Sequence, residues 1–153
     1  MNKGPKTKQS FQEQLERIRE AFASHTFEKE VLLIDDNKSL AHLLQATLGG
    51  GFRSELCFTG REALQKIEER KFDLIIVDLH LPDISGVSII QHVKKSQPLV
   101  PILVITGDAT TSTLAQEALN AGASLILTKP LPCATEFRAI LGKYLLLNEE
   151  KGA

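Results

Sequence analysis

Five short strand-like runs, each followed by a segment with helical periodicity, constrain the fold of this chain more than any other feature of its sequence. The runs are VLLI (31–34), SELCF (54–58), LIIV (74–77), ILVI (102–105) and LIL (125–127). Short apolar strands that alternate with helices are typical of a parallel sheet covered on both faces. The pattern therefore predicts a doubly wound α/β fold with right-handed crossovers.

The composition is that of an ordinary globular domain, and it disfavours several classes of function. The chain has 153 residues, a length that fits one domain with its own core. Its net charge of -1 gives no electrostatic signature of a surface for nucleic acid or anionic lipid. Cys57 and Cys133 lack metal-ligand spacing, and no secretory signal or membrane-spanning run is evident. We therefore expect a cytoplasmic protein that contacts neither nucleic acid nor membrane directly.

The N-terminal region divides into two segments. Residues 1–10 are polar and basic without hydrophobic periodicity, so we expect them to be disordered. In residues 11–28, the apolar side chains are spaced as on one face of a helix: Phe11, Leu15, Ile18 and Phe22. Ser10 and Glu13 have the spacing of a capping box at its start. This amphipathic helix either packs on its own domain or serves as a linker or as a seam for a homodimer or partner.

Polar side chains follow where the apolar runs end. They are Asp35 and Asp36 after the first run, Asp78 after the third, Thr106 after the fourth and Lys129, next to Pro130, after the fifth. In open parallel sheets, ligands bind at the edge formed by the carboxyl ends of the strands. We therefore predict that three carboxylates, a hydroxyl and an ammonium group converge at one edge of the sheet.

Such a cluster is short of positive charge. Two carboxylates about 4 Å apart repel by roughly 4 kcal/mol at an effective dielectric constant of about 20. Oxygen ligands without a nearby histidine or cysteine favour Mg²⁺. A carboxylate beside Mg²⁺ can act as a nucleophile and form an acyl phosphate, with Lys129 neutralising charge and Thr106 bonding the new phosphate.

Taken singly, each of these residues has a structural interpretation. Asp35, Asp36 or Asn37 could cap the helix that begins near Lys38. Thr106 alone would be a hydroxyl at a strand end, and a lone lysine in a loop would be solvated. Only their joint placement, each at the carboxyl end of a predicted strand, favours a functional site.

Four segments together resemble a known family. VLLIDDN, DLIIVDLHLPDISG, PILVITGDA and GASLILTKP are similar, in this order, to the acidic pair, the phosphoacceptor strand, the switch-threonine strand and the lysine–proline loop of bacterial response-regulator receiver domains, which are CheY-like. The resemblance covers nearly all of residues 31–147. It implies a flavodoxin-like (βα)5 fold with a five-stranded parallel sheet of order 2-1-3-4-5, here with an extra N-terminal helix.

The resemblance also implies a phosphoacceptor and a metal site. Asp78 would accept phosphate from a sensor histidine kinase or a histidine phosphotransfer protein. Asp36 would bind Mg²⁺ directly, Asp35 would bind it mainly through water, and the backbone carbonyl of His80 would complete the metal shell together with Asp78. The chain would then be a phosphoprotein of a two-component system or phosphorelay.

The remaining implied roles concern the switch. Lys129 would pair with the phosphate, and the Lys129–Pro130 peptide bond would be cis. Thr106 would supply the switch hydroxyl that moves when Asp78 is phosphorylated and changes the binding of a downstream protein target. The chain would catalyse only its own phosphoryl transfer and autodephosphorylation, so it would not otherwise be an enzyme.

Several residues depart from the family pattern. Ile126 stands where most receivers have an aromatic residue that moves with the threonine, and Gly107 replaces a usual alanine. His80 lies two residues after Asp78, at a position that tunes phosphate lifetime in the family, and Asp108 adds another acid nearby. These departures motivate a second hypothesis, a degenerate receiver-like binding module without regulated phosphorylation.

A third hypothesis is a small-molecule phosphatase with an aspartyl nucleophile, similar to haloacid-dehalogenase-like enzymes. Those enzymes have an aspartate two residues after the nucleophile, where this chain has His80, and a cap insertion that this sequence lacks. The predicted receiver domain extends over 29–147 and is followed by a short tail, 148–153. This organisation fits a stand-alone regulator or a fragment of a larger protein.

Overall fold

The computed structural model describes residues 10–23, 29–49 and 51–152. The strands are β1 (Lys29–Ile34), β2 (Phe52–Cys57), β3 (Leu74–Asp78), β4 (Ile102–Thr106) and β5 (Leu125–Thr128). The helices are α1 (Phe11–Ala23), α2 (Lys38–Leu48), α3 (Gly60–Glu69), α4 (Gly86–Ser96), α5 (Thr113–Ala121) and α6 (Ala134–Gly152).

The five strands form one parallel sheet of order β2-β1-β3-β4-β5. The predicted flavodoxin-like fold, its strand order and its added N-terminal helix are confirmed. The segment 1–9, part of the region predicted to be disordered, lies outside the described residues, as does 24–28. The domain limits at 29 and 147 stay predictions; α6 itself continues to Gly152.

The central strand β3 is buried on both faces, which explains its continuous apolar sequence. Ile75 and Val77 pack in a cluster with residues of α3, α4 and α5. Leu74 and Ile76 point to the opposite face and pack with residues of α2 and α6. With side chains alternating across the sheet, helices on both faces remove every position of the strand from water.

The start of α2 shows which residue caps that helix. The side-chain oxygen of Asn37 accepts a hydrogen bond from the backbone N–H of Leu40, at 3.1 Å. Asn37 is therefore the N-cap, and neither Asp35 nor Asp36 is needed for this structural role.

Helix α1 packs on α6 of the same domain. Ser10 Oγ accepts a hydrogen bond from the backbone N–H of Glu13, at 3.2 Å, as the capping pattern predicts. Ile18 is 7% exposed, and a Cβ added at Gly142 would lie 2.9 Å from its Cγ2 atom. The small residue in α6 thus lets Ile18 approach closely, so α1 packs on its own domain in this structure. Its predicted role as a linker or dimer element stays a prediction. The side chain of Phe22 lies outside the described set.

Within the described residues, the helices are too short or too polar to cross a membrane.

The loop between β3 and α4 folds back onto the end of β3. The backbone N–H of Gly86 donates to the carbonyl oxygen of Leu79, at 3.0 Å. A Cβ at Gly86 would lie 2.7 Å from the Cα of Leu79 and would also collide with the carbonyl oxygen of Asp78. Both obstacles are backbone atoms, so they cannot move aside as a flexible side chain would.

Asp83 connects the same loop to α3. Its carboxylate oxygens accept hydrogen bonds from the backbone N–H groups of Gly60, at 2.7 Å, and Arg61, at 2.9 Å. These N–H groups belong to the first turn of α3, which has no intrahelical partners for them and attracts negative charge. The loop that carries Asp83 is thereby held against the N-terminus of α3.

We expect Gly86→Ala to lower the free energy of unfolding by about 1–3 kcal/mol, because the added Cβ overpacks against backbone atoms. Gly107→Ala is the matched control, since a Cβ at Gly107 meets no atom within 4 Å. Urea denaturation of both variants measures the difference. Equal stability of the two variants would contradict the close approach at Gly86.

The contribution of Asp83 to stability depends on pH. Hydrogen bonding from the Gly60 N–H, with a further bond from Arg61, holds the pKa of Asp83 below its usual value of 3.8. Its stabilising effect is therefore present above pH 3.8 and is lost as the pH falls through the lowered folded-state pKa.

We expect Asp83→Asn to be less stable than the wild type at neutral pH and the difference to shrink as the pH falls below 3.8. Urea denaturation across this pH range tests the expectation. A stability difference that stays constant from neutral pH into the acid range would show that the charge of Asp83 is not responsible.

Candidate functional site

Three carboxylates meet at the carboxyl edge of the sheet. Asp35 follows β1 and Asp78 ends β3, and these strands are neighbours in register, with Ile34 opposite Val77. One oxygen atom from each of Asp35, Asp36 and Asp78 lies within 4.8 Å of the other two. Asp35 and Asp78 are buried, whereas Asp36 is exposed. The structure thus brings together the acids that the sequence places at two strand ends.

Lys129 completes this cluster from the end of β5. Its Nζ atom donates a hydrogen bond to Asp78 Oδ2, at 3.2 Å, and lies 3.6 Å from Asp35 Oδ2. Its backbone N–H donates to the carbonyl oxygen of Thr106, at 2.8 Å, which fixes the lysine loop to the end of β4. The Lys129–Pro130 peptide bond is cis, as the family resemblance implies.

The electrostatics of the cluster show a shortage of positive charge. Burial raises the pKa of Asp35 above its usual value, and the charge of Asp78 adds to this effect, while the N–H of Asn37 and the charge of Lys129 oppose it. Burial lowers the pKa of Lys129, but the charges of Asp78 and Asp35 together raise it by more, so that its net pKa is raised. One ammonium group therefore faces three carboxylates.

The donor set fits a hard divalent cation. All three groups that converge here are carboxylates, and Mg²⁺ prefers oxygen ligands and commonly binds through one or two carboxylates plus waters. The unbalanced negative charge favours binding of such an ion. These residues therefore fit the Mg²⁺ site that the family resemblance implies.

Asp78 is oriented by two hydrogen bonds, one to each of its carboxylate oxygens. Its Oδ1 atom accepts a hydrogen bond from the backbone N–H of His80, at 3.0 Å, and its Oδ2 atom accepts the bond from Lys129. A carboxylate that is held in one orientation beside a cationic group can act as a nucleophile toward phosphorus.

Thr106 lies at the end of the neighbouring strand β4. Asp78 is paired in register with Ile105, the residue before Thr106. Thr106 is fully buried, and its Oγ1 atom accepts a hydrogen bond from the backbone N–H of Asp108, at 3.1 Å. Ile126 on β5 is buried in the core cluster, where it packs with apolar residues. The predicted switch hydroxyl thus reaches the site edge, and no aromatic side chain stands at position 126.

A pair of side chains at this edge was not expected from the sequence. His80 Nε2 and Asp108 Oδ2 are 3.0 Å apart. The signal that connects them is positional, since each lies two residues beyond a site residue, Asp78 or Thr106, on neighbouring strands.

An open cavity of about 390 Å³ adjoins the acidic cluster. Its walls come mainly from the loop after β3, with one contribution each from the acidic pair and from α5: Asp36, Leu79, His80, Leu81, Pro82, Asp83, Ile84, Ser85 and Leu114.

The model of the response regulator receiver domain family matches residues 31–140. This match covers more than half of the chain. The chain belongs to the response regulator receiver domain family, which acts in two-component signalling and whose members are generally not enzymes in their own right.

Among curated proteins, the chain is similar to the transcriptional regulatory protein ZraR of Salmonella typhimurium (strain LT2). The identity is 35% over 125 residues, which are 81% of this chain and 28% of ZraR. The chain thus spans less than a third of the length of this relative, and the similarity applies to that part of ZraR alone.

Two solved structures connect the fold to ligands. The receiver domain of the sensor histidine kinase PA1611 from Pseudomonas aeruginosa PAO1 has a magnesium ion in its active-site cleft; the TM-score is 0.70 and the identity 27%, over 77% of this chain and 98% of that one. A response regulator from Burkholderia pseudomallei contains a phosphorylated aspartic acid and calcium; the TM-score is 0.67 and the identity 34%, over 80% and 72% of the two chains.

We expect Mg²⁺ to raise the Tm of the wild type, because an ion that binds only the folded state stabilises it by about 2.7 kcal/mol at a hundredfold excess over Kd. Asp36→Asn should weaken this response and raise the Tm of the metal-free protein, because one of three like charges is removed. Calorimetric unfolding with and without Mg²⁺ measures both effects.

The matched control is Asp73→Asn. Asp73 immediately precedes β3 at the opposite end of the strand, where its Oδ2 atom accepts a hydrogen bond from the Glu30 N–H. This variant should keep the full Mg²⁺ response. An undiminished response in Asp36→Asn would exclude that residue as a metal ligand.

Proposed function

We propose that this chain is a phosphorylatable receiver in which Asp78 accepts a phosphoryl group from a sensor histidine kinase or a histidine phosphotransfer protein, and that this transfer switches the binding of a downstream protein. The proposal is carried by one observation: Asp78 is buried in a cluster of three carboxylates and bonded to Lys129 at 3.2 Å. This combination lowers stability, because neighbouring like charges repel. It is suited to a carboxylate that acts as a nucleophile.

The chemistry is a displacement at phosphorus. An oxygen atom of Asp78 forms a bond to phosphorus while the bond from phosphorus to the donor nitrogen breaks, and the imidazole of the donor leaves. The hydrogen bonds from His80 N–H and Lys129 Nζ hold the Asp78 carboxylate for this attack. The ammonium group of Lys129 then lies where it can neutralise charge on the transferred group.

Asp35, Asp36, Asp78 and the backbone carbonyl of His80 would hold Mg²⁺. When bound, the ion would neutralise the excess negative charge of the carboxylates and the phosphoryl oxygens. The raised pKa of Asp35 is consistent with a site whose acids are short of positive charge. The magnesium-containing PA1611 receiver supports the same assignment.

The switch would begin at Thr106. A phosphoryl group adds about -1.5 to -2 charge units and three acceptor oxygens. The Thr106 hydroxyl, which now accepts a bond from the Asp108 N–H, would donate to one of these oxygens. Since Thr106 begins the connection into α5, this change would shift α5 and its flanks. Position 126 holds an isoleucine and not an aromatic residue that could move with Thr106. The conformational change that a downstream protein detects would therefore lie in the loop after β4 and in α5.

The remaining assignments follow from this role. Water attack on the acyl phosphate would return the protein to its resting state, so autodephosphorylation is the only hydrolysis that we assign to it. Its partners would be the kinase or phosphotransfer protein and a downstream protein, in the cytoplasm, without direct contact to nucleic acid or membrane. Helix α1 could add a linker or homodimer contact through its exposed residue Phe11, which is 69% exposed.

The degenerate binding module is the second candidate. Ile126 and Gly107 favour it, because they remove two features on which the usual switch depends. The placement of Asp36, Asp78 and Lys129 favours phosphorylation instead, since these residues have no structural need to converge. The family match does not support the phosphatase hypothesis.

We expect the wild type to gain the mass of one phosphoryl group when it is incubated with Mg²⁺ and acetyl phosphate, and Asp78→Asn to gain none, because an amide cannot form the acyl phosphate. Intact-protein mass spectrometry measures both. Asp73→Asn is again the matched control, at the other end of the same strand, and should be labelled like the wild type.

Two results would overturn the assignment. Stoichiometric labelling of Asp78→Asn would mean that another residue is the acceptor. A folded wild type that binds Mg²⁺ but takes no phosphoryl group from acetyl phosphate or from a phosphorylated histidine phosphotransfer domain would favour the binding module.

A further inference from the structure

The loop between β3 and α4 is held to the start of α3 by two neighbouring residues. The carboxylate of Asp83 accepts hydrogen bonds from the backbone N–H groups of Gly60, at 2.7 Å, and Arg61, at 2.9 Å. Ile84 follows in the loop, and its Cβ atom would lie 2.8 Å from a Cβ added at Gly60. We call these contacts the loop–helix contact. It joins segments that are 23 positions apart in the sequence.

The absence of a side chain at Gly60 makes this approach possible. Gly60 is buried, and an added Cβ would also lie 3.2 Å from the Asp83 Oδ1 atom that accepts its N–H. A larger residue at this position would therefore push Ile84 away from the helix and crowd the acceptor oxygen of Asp83.

Asp83 is not the residue that caps α3. Thr59 is the N-cap, and its Oγ1 atom accepts a hydrogen bond from the backbone N–H of Glu62, at 3.2 Å. Asp83 engages two other N–H groups of the first turn and does so from a different segment of the chain. These bonds therefore fix the position of the loop in addition to stabilising the helix.

The same loop carries a group of the proposed metal site. His80 lies three residues before Asp83, and its backbone carbonyl is one of the ligands that we assign to Mg²⁺. The backbone alone orients a main-chain carbonyl, since the peptide unit is planar and no side-chain torsion can turn it. The N–H of Gly86 donates to the carbonyl oxygen of Leu79 and closes the base of the loop. The loop–helix contact holds its outer part.

The loop–helix contact also lies close to the acidic cluster. Asp83 and Ile84 line the open cavity of about 390 Å³ whose wall includes Asp36 and His80. A displacement of the loop at Asp83 would therefore alter the backbone beside the proposed metal site.

We propose that Asp83 and Gly60 are positioning residues for the metal site: through the loop–helix contact they hold the loop after β3 in the position from which the carbonyl of His80 ligates Mg²⁺. The inference rests on the proposed function, which assigns that carbonyl to the metal shell. Neither residue touches the ion or the phosphoryl group. Both act through the backbone of the loop, so they set the affinity for Mg²⁺ and leave the chemistry at Asp78 unchanged.

The expected size of the effect follows from this indirect action. Loss of a group that orients a metal ligand typically weakens metal binding by about 10- to 100-fold. Asp83 is exposed and acts on His80 through three residues of backbone. The effect should therefore lie at the lower end of this range, at about tenfold.

The test is a calorimetric titration of the metal-free, full-length chain with Mg²⁺. Asp83→Ala removes the acceptor, and Gly60→Ala displaces Ile84, so the two variants break the same contact from opposite sides. Each should raise the Kd for Mg²⁺ by about tenfold. The double variant should bind no more weakly than the weaker single variant, because both substitutions remove one contact.

A third variant separates position from charge. Asp83→Glu keeps the negative charge but lengthens the side chain by one methylene group, so it should also weaken Mg²⁺ binding. It serves in place of Gly60→Ala should that variant not fold. If Asp83→Ala binds more weakly while Asp83→Glu and Gly60→Ala bind like the wild type, Asp83 acts through its charge alone and the proposal is wrong.

Two matched controls measure general destabilisation. Thr59→Ala removes a hydrogen bond from the same first turn of α3 but leaves the loop untouched. Gly142→Ala places a Cβ 2.9 Å from the Cγ2 atom of Ile18, so it overpacks an isoleucine as Gly60→Ala does, but on α6. Both should lower the Tm and keep the Kd of the wild type for Mg²⁺. A Kd raised in these controls as much as in Gly60→Ala would refute the positioning role.

The dependence of phosphoryl uptake on Mg²⁺ supplies a second readout. With acetyl phosphate as donor, Asp83→Ala and Gly60→Ala should need about tenfold more Mg²⁺ for half the maximal rate and should reach the maximal rate of the wild type at saturating Mg²⁺. A lower maximal rate with an unchanged Mg²⁺ requirement would place the two residues in the chemical step and overturn the proposal.

The titration needs no phosphate, so it separates this inference from the proposed function. Weaker Mg²⁺ binding in both variants would support the inference even if the wild type takes up no phosphoryl group, a result that would refute the proposed function alone. Unchanged Mg²⁺ binding in both variants would refute the inference even if Asp78 is phosphorylated. A folded wild type that binds no Mg²⁺ would refute the inference together with the assigned metal site.

Discussion

The contact between Lys129 and Asp78 connects the two ends of the site, and the remaining geometry depends on it. Lys129 comes from the last strand of the sheet and Asp78 from its centre, and their side chains meet at 3.2 Å. Without the ammonium group, three carboxylates within 4.8 Å of one another would have no positive charge among the groups that converge there. The sheet therefore carries a cluster that costs stability and is suited to a cation and a phosphoryl group.

The backbone around Asp78 explains how this cost is tolerated. Gly86 lets the loop after β3 fold back against the strand end, and Asp83 fixes the same loop to the first turn of α3. These contacts are made by backbone atoms and by Asp83, outside the cluster of carboxylates. The repulsion between the carboxylates thus acts on side chains whose surrounding backbone is held in place by other contacts. Such an arrangement is typical of a preorganised site.

The sequence predicts the sheet and the meeting of Asp35, Asp36, Asp78 and Lys129 at one edge, because both depend on position along the strands. Asp78 could be placed in the cluster from its strand end alone. The start of β1 at Lys29 could not be predicted in the same way. The first two residues of this strand are only half-buried and lack the apolar signal of Val31. The docking of Ile18 over Gly142 and the pair of His80 with Asp108 depend on how separate elements approach each other, and local periodicity carries no information about that.

The resting state places a limit on the energy available for switching. Moving a population from 1:99 to 99:1 requires about 5.5 kcal/mol of differential stabilisation. The bonds that Asp78 already makes to His80 N–H and Lys129 exist before phosphorylation, so they contribute only to the extent that they strengthen. The new stabilisation must come from contacts that are absent at rest, and Thr106 is the buried hydroxyl nearest along the edge. Its oxygen accepts the Asp108 N–H at rest, and a hydroxyl can accept one hydrogen bond and donate another at the same time, so a bond to the phosphoryl group would add to this contact.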